Sequence, residues 1–269
     1  MLIVLYLASS LSSVLFFGND ESAIKVTNTG HRGAAGLAPE NTLIAIRKGI
    51  SLGVDRVEID LQQTSDGVVV VMHDETVNRT TKGEGLVKEM TFVEIKKLDA
   101  GSCFSPEFKG EKIPSLEEVL QTVKGQCDLV IEIKKGNDYY PYIIEHTLAL
   151  IKKYEATEWC IIHSFNLNAL IEVHRQMPEL RMHRLFVAKF RGLPLIYDGS
   201  FGVLEIEKYP YIEEYSIMFP FANKGIIDQL HEQGKKVNVW TVDDKKQINR
   251  LINLGVDGII TDRPDLMSE

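Results

Sequence analysis

The chain has 269 residues, 44% of them hydrophobic and 25% charged, and 30 Lys and Arg against 38 Asp and Glu give a net charge of −8. This is the balance of a soluble globular protein with a full core, and its acidity argues against nucleic acid or an anionic membrane surface as partner, since both favour basic patches. A phosphate substrate stays open, because a few local cations and a bound metal dominate the field inside a site.

The first segment is apolar. Met1 to Gly18 carries no charged side chain, and the runs Leu2–Leu7 and Val14–Phe17 flank a serine-rich middle. This matches the apolar part of a secretory signal without its basic start, and its length barely spans a bilayer core. Residues 1–23 are expected to be an export signal or an uncleaved anchor; a helix packed on the globular part is the competing reading. The expected location is exported or membrane-associated, periplasmic or extracellular, with membrane proximity through this segment.

From Ile24 onward strand-like and helix-like runs alternate. Lys25 to Gly33 holds a first strand, and Asn41 to Leu52 carries a helical apolar stripe after Pro39. Arg56 to Leu61 and Val68 to Met72 read as strands around a Ser65-Asp66-Gly67 turn. Ser115 with Glu118 three residues on marks a capped helix start. Strands follow at 128–133, 159–163, 181–187, 236–242 and 257–261, and helices at 142–154, 166–176, 224–233 and 244–254. Alternation of this kind builds a parallel sheet, and about eight strands in one domain point to an α/β fold, a (β/α)8 TIM barrel over residues 24–269. An open doubly wound sheet is the alternative, but no Gly-rich phosphate loop follows the first strand. Residues 74–114 are too long for an ordinary barrel loop, and are expected to form a small inserted cap after the third strand.

Four polar clusters end apolar runs: His31-Arg32-Gly33, Glu58-Ile59-Asp60, His73-Asp74 and Glu132-Ile133-Lys134. A barrel gathers strand ends around one mouth. Glu58 and Asp60, two apart on a strand, face one way with Arg56 and Gln62, while Val57, Ile59 and Leu61 face the other. Two carboxylates held that close repel unless a proton or a cation intervenes. All-oxygen ligands suit Mg2+ or Ca2+; an internal salt-bridge cluster with Lys134 and Arg32 is the other reading. His31 and His73 are candidate proton shuttles, with His163 a weaker third. His174, His183 and His231 read as structural. Trp240 either walls the pocket or packs in the core, and Asp262 either orients a neighbour or caps a turn. Cys103, Cys127 and Cys160 have no ligand spacing and an odd count, and read as structural thiols.

Together with Ala38-Pro39-Glu40-Asn41-Thr42, Ile113-Pro114-Ser115-Leu116-Glu117-Glu118, Trp240-Thr241-Val242 and Thr261-Asp262-Arg263-Pro264, these clusters resemble, in order from about residue 28 to the C-terminus, the glycerophosphodiester phosphodiesterases. The resemblance implies a barrel with a cap after the His73 strand. It implies one divalent cation, Ca2+ or Mg2+, on Glu58, Asp60 and Glu132. It implies His31 and His73 as the acid–base pair, and Arg32 and Lys134 on the phosphate of a small-molecule diester. The implied reaction is attack of the glycerol 2-hydroxyl on phosphorus, then opening of a cyclic phosphate by water, giving sn-glycerol 3-phosphate and an alcohol. Lysophospholipase D activity on lysophospholipids is the alternative enzyme reading. Binding of phosphate esters without turnover is a third reading, which the presence of both histidines and all three carboxylates disfavours.

Overall fold

The computed structural model describes residues 25–189, 195–198 and 201–267. The expected leader or anchor, residues 1–23, lies outside them, and no helix among the described residues is long and apolar enough to cross a membrane. The strands in chain order are β1 (Thr27–Gly30), β2 (Arg56–Gln63), β3 (Val69–Val71), β4 (Asp128–Ile133), β5 (Cys160–Ser164), β6 (Arg181–Phe186), β7 (Ala188–Lys189), β8 (Leu195–Tyr197), β9 (Phe201–Val203), β10 (Ile212–Met218), β11 (Lys236–Trp240) and β12 (Gly258–Thr261). The helices are α1 (Leu43–Ser51), α2 (Phe92–Ile95), α3 (Leu116–Val123), α4 (Ile143–Lys153), α5 (Leu167–Gln176), α6 (Lys224–His231) and α7 (Lys245–Leu254).

Eight strands pair in parallel in the order β1-β12-β11-β10-β6-β5-β4-β2, and β1 pairs again with β2 to close the ring. This is the TIM barrel. Its outward residues, such as Val57, Ile59, Leu61, Leu129, Ile131 and Ile133, join the helices in one large apolar core. Its inward residues are a mixture in which charged and amide groups are prominent beside Val130, Ile161, Leu185 and Ile260. Arg56 forms a bidentate pair with Glu214 at 2.7 and 2.9 Å, and Asn238 donates to the same carboxylate at 2.7 Å. Helix starts follow the local chemistry: Thr42, Asn166 and Asp244 cap α1, α5 and α7, and Ser115 with Glu118 forms the expected capping box of α3.

One expected barrel strand is not a stave. β3 runs antiparallel to β2, with Leu61 opposite Val71 and Gln63 opposite Val69. The Ser65-Asp66-Gly67 turn is too short for a parallel crossover, which needs a dozen residues or more. The missing stave is β10, where the register shift between Ile212 and Glu214 interrupts the period-two alternation. Residues 74–114 leave from the end of β3 and return to it, closed by an antiparallel bridge of Val70 with Ser115. They carry a small apolar cluster of their own, in which Val77, Val87, Ile95 and Ala100 pack on Val70 and Met72. β7, β8 and β9 form a separate antiparallel meander after β6.

Candidate active site

The turn after β1 lies flat against β2. Arg32 (φ 49°) donates its backbone N–H to the Glu58 carboxylate at 2.9 Å, and Gly33 (φ 93°) donates to the Glu58 carbonyl at 3.1 Å. A side chain at Gly33 would meet the Ala45 carbonyl carbon at 2.5 Å, so glycine is required there. This turn aims His31 and Arg32 into the barrel mouth. The β2–β3 hairpin does the same for His73. β2 overshoots the mouth, turns, and β3 brings the chain back, with Met72 donating to the Asp60 carbonyl at 2.9 Å and Gln62 donating to the His73 carbonyl at 2.7 Å.

His31, Arg32, Glu58, His73, Glu132, Lys134 and Trp240 line one pocket. Asp60 sits among them, fully buried, opposite Glu132 in the β2–β4 register. Carboxylate oxygens of Glu58, Asp60 and Glu132 lie within 4.8 Å of one another. Lys134 Nζ reaches Asp60 at 2.9 Å and Glu132 at 3.0 Å, and Arg32 Nε reaches Asp60 at 3.2 Å. Asn41, in the left-handed region, donates to Asp60 at 2.7 Å. Burial followed by repulsion from Asp60 pushes the Glu58 carboxyl up to about 7. Burial pushes Glu132 up to about 8, against Lys134. Asp60 is equally buried, yet Lys134 and Arg32 hold it well below the usual carboxylate range. Three buried carboxylates of which two resist ionising form a hard-oxygen set with spare affinity for positive charge. That set is compatible with a divalent cation.

Each of the two imidazoles is held by a carboxylate. Asp262 lies 2.6 Å from His31 Nδ1, and Asp74 lies 2.6 Å from His73 Nδ1. An ionised carboxylate only accepts, so Nδ1 carries the hydrogen and Nε2 is left for the pocket. Burial lowers the His31 pKa, but Asp262 and Glu58 outweigh it, and the net shift is upward. His73 shifts downward, through burial and the nearby Lys134 and Arg32, against Asp60. Asp74 is fixed in turn by Arg79 at 2.7 Å; Arg79 also grips Glu40, which pairs with Arg32 at 2.8 Å. This chain of four charges ties the cap to the β1 turn.

All eight expected site residues therefore converge. Asp262 orients His31, the first of its two sequence readings. Trp240 walls the pocket, its ring edge-to-face on Phe165 with centroids 5.6 Å apart and its Nε1 donating to the Ser216 carbonyl at 3.2 Å. Phe165, Arg79 and the roles of Glu40 and Asn41 are not read from sequence. Phe165 follows the end of β5, a placement that could have signalled it. Arg79 lies inside the cap, where no periodicity points inward. His163 lines the pocket, opposite Glu132 in the β4–β5 register; it is 2% exposed, and neither ring nitrogen has a hydrogen-bond partner among the described residues.

Residues 31–266 match the glycerophosphoryl diester phosphodiesterase family. The chain belongs to that family. It is 41% identical over 245 residues to a glycerophosphodiester phosphodiesterase of Caldanaerobacter subterraneus subsp. tengcongensis, covering 91% of this chain and 97% of the relative. It is 33% identical to a glycerophosphodiester phosphodiesterase of Bacillus subtilis, over 93% and 87% of the two chains. The fold is similar to a phosphodiesterase of Oleispira antarctica solved in complex with the product sn-glycerol-3-phosphate, with a TM-score of 0.81, 27% identity, and coverage of 92% and 97%. The barrel and its mouth thus belong to an enzyme of this phosphodiesterase family, a phosphoric diester hydrolase.

Proposed function

We propose that the chain hydrolyses glycerophosphodiesters to sn-glycerol 3-phosphate and an alcohol, with His31 and His73 as its proton shuttles. The observation that carries this is the pair of carboxylate-held imidazoles, 2.6 Å each, flanking one three-carboxylate cluster. Glu58, Asp60 and Glu132 would hold one divalent cation, Ca2+ or Mg2+, which when bound supplies charge stabilisation to the phosphoryl oxygens. Arg32 and Lys134 add fixed positive charge at the same point, and Trp240 bounds the glycerol.

His73, biased toward its neutral form, takes the proton of the glycerol 2-hydroxyl as that oxygen bonds to phosphorus. His31, biased toward its charged form, delivers a proton to the departing alcohol oxygen as its bond to phosphorus breaks. Water then opens the cyclic phosphate with the roles reversed, His31 taking a proton from water and His73 returning one to the 2-oxygen. Release of sn-glycerol 3-phosphate from glycerophosphocholine, its loss with a chelator and its return with Ca2+ or Mg2+ test the reading. Chelator-resistant turnover would sink the cation assignment. His31→Ala and His73→Ala should each lower kcat by about 100-fold or more with the fold intact; near-normal turnover removes that residue from the mechanism.

A second reading, lysophospholipase D, is favoured by the exposed Tyr197, Phe201 and Val203 on the meander beside the mouth. Turnover of lysophosphatidylcholine at a rate matching glycerophosphocholine would support it. The apolar residues 1–23 favour an exported or membrane-associated enzyme, which N-terminal sequencing of the mature protein from each cell fraction tests.

A further inference from the structure

The pocket at the barrel mouth is small, about 90 Å³, and adjoins a second groove of about 630 Å³ at Lys134 and Phe165. Those two residues line both spaces. The far wall of the groove belongs to the meander, which is tied to the barrel by Arg184 of β6 donating to Asp198 at 2.8 Å. Arg184 is 6% exposed, and its Nε is buried without a hydrogen-bond partner among the described residues. A buried donor of this kind costs about 1–3 kcal/mol while it stays unmatched, and because Arg184 lines the groove, a small shift of its guanidinium would offer that donor to an acceptor there.

The groove's chemistry narrows what that acceptor belongs to. Arg184 is balanced by Asp198, Lys134 is already engaged by Asp60 and Glu132, and Glu205 is paired with Lys208 at 3.2 Å, so the lining has no excess of either sign to capture an ion. Phe165 is the one aromatic among the described lining residues, too little for the aromatic cage that recognises a quaternary ammonium. Charged and amide groups (Arg184, Asp198, Asn168, Glu205) outnumber its apolar ones, which does not suit an acyl chain. Donors and acceptors of both kinds, spread along a roomy groove, suit a ligand with many hydroxyls.

We propose that this groove is the subsite for the variable alcohol of the diester, that it favours a polyhydroxylated alcohol such as inositol over choline or a simple alkyl group, and that Arg184 sets this preference. The inference rests on the glycerophosphodiester reading above. The small pocket takes the glycerophosphate, and the alcohol lies beyond it where the two spaces adjoin, at Lys134 and Phe165.

The test is steady-state kinetics of release of sn-glycerol 3-phosphate, with Ca2+ or Mg2+ supplied, from glycerophosphoinositol, glycerophosphocholine and the ethyl ester of glycerol 3-phosphate. The wild type should show its lowest KM with glycerophosphoinositol. Arg184→Lys keeps the charge but removes Nε, and should raise the KM for glycerophosphoinositol, relative to that for the ethyl ester, about tenfold, with kcat moving little. Val203→Trp, at a half-exposed position on the groove wall, narrows the space without touching the core and should shift the same ratio in the same direction. An unchanged ratio in both variants, or a wild type that prefers the ethyl ester, overturns the groove assignment while leaving the hydrolase reading standing. Failure to cleave any of the three overturns both.

Discussion

The two site imidazoles differ in what surrounds them, and the difference has consequences that single substitutions expose. Asp262 holds His31 toward its charged form. Replacing it by Asn removes that pull, so the His31 pKa falls and less imidazolium is present at neutral pH. Asp262→Asn should lower kcat more than it raises KM, and part of the lost rate should return as the assay pH is lowered; a uniform loss at every pH counts against the acid role of His31. The carboxylate cluster allows a test that does not depend on turnover. A cation that binds only the folded chain stabilises it, by about 2.7 kcal/mol at a hundredfold excess over Kd. Added Ca2+ or Mg2+ should raise the Tm of the wild type and leave Glu132→Gln almost unmoved; equal shifts would put the cation elsewhere. At this scale much was legible beforehand. The two-residue spacing of Glu58 and Asp60 predicts one shared face, and both are buried in the barrel mouth. Arg79 was not legible, because it reaches Asp74 and Glu40 through the fold of the cap, and no local pattern encodes that path.

At the level of elements, the hairpin of β2 and β3 decides where His73 goes. The antiparallel return along β2 carries that histidine back down beside Asp60, to whose carbonyl the preceding Met72 donates. The cap hangs between the end of β3 and the start of α3, so its seat depends on how firmly that helix begins. Ser115 accepts from the Glu118 backbone, and Glu118 reaches back to the Ser115 N–H at 2.8 Å. Ser115→Ala should cost about 1 kcal/mol, measured by chemical denaturation, and should raise exchange of cap amides before those of the barrel; uniform exchange would show cap and barrel opening as one unit. β3 looks like a stave because its apolar run is strand-like whichever way it pairs. β10 is hidden because its register shifts between Ile212 and Glu214.

The whole molecule responds to pH through the titratable groups of its barrel interior. His183 has its pKa pushed down to about 3, first by burial and then by Arg56 and Arg181 against the pull of Glu214; His163 is lowered for the same leading reason. Below pH 6.5 the unfolded chain protonates these groups and the folded chain does not, so stability falls as pH falls. Glu58 and Glu132 act in the opposite sense. With their folded pKa values raised to about 7 and about 8, the folded chain holds the extra protons between about 4.5 and those values, and stability rises as pH falls. In chelator the two effects oppose, and stability should change little between pH 6.5 and 4.5. With saturating cation the carboxylates stay ionised, and the histidines alone should remove about 1.4 kcal/mol per pH unit for each proton. Denaturation midpoints across that window, with and without chelator, check this; parallel curves would refute it.

The pairing of His31 with Asp262 joins residues 231 positions apart, one just after the first stave and one just after the last. Neither end of the chain can assemble that pair alone, and β1 meets β12 only when the ring is complete. An emerging chain therefore lacks this pair until its last strand has docked, however well formed the earlier staves and their carboxylates are. The pair is in this sense a gauge of closure. Any lesion that keeps the final strand from seating, even with every residue of the other half-site intact, leaves His31 without its carboxylate.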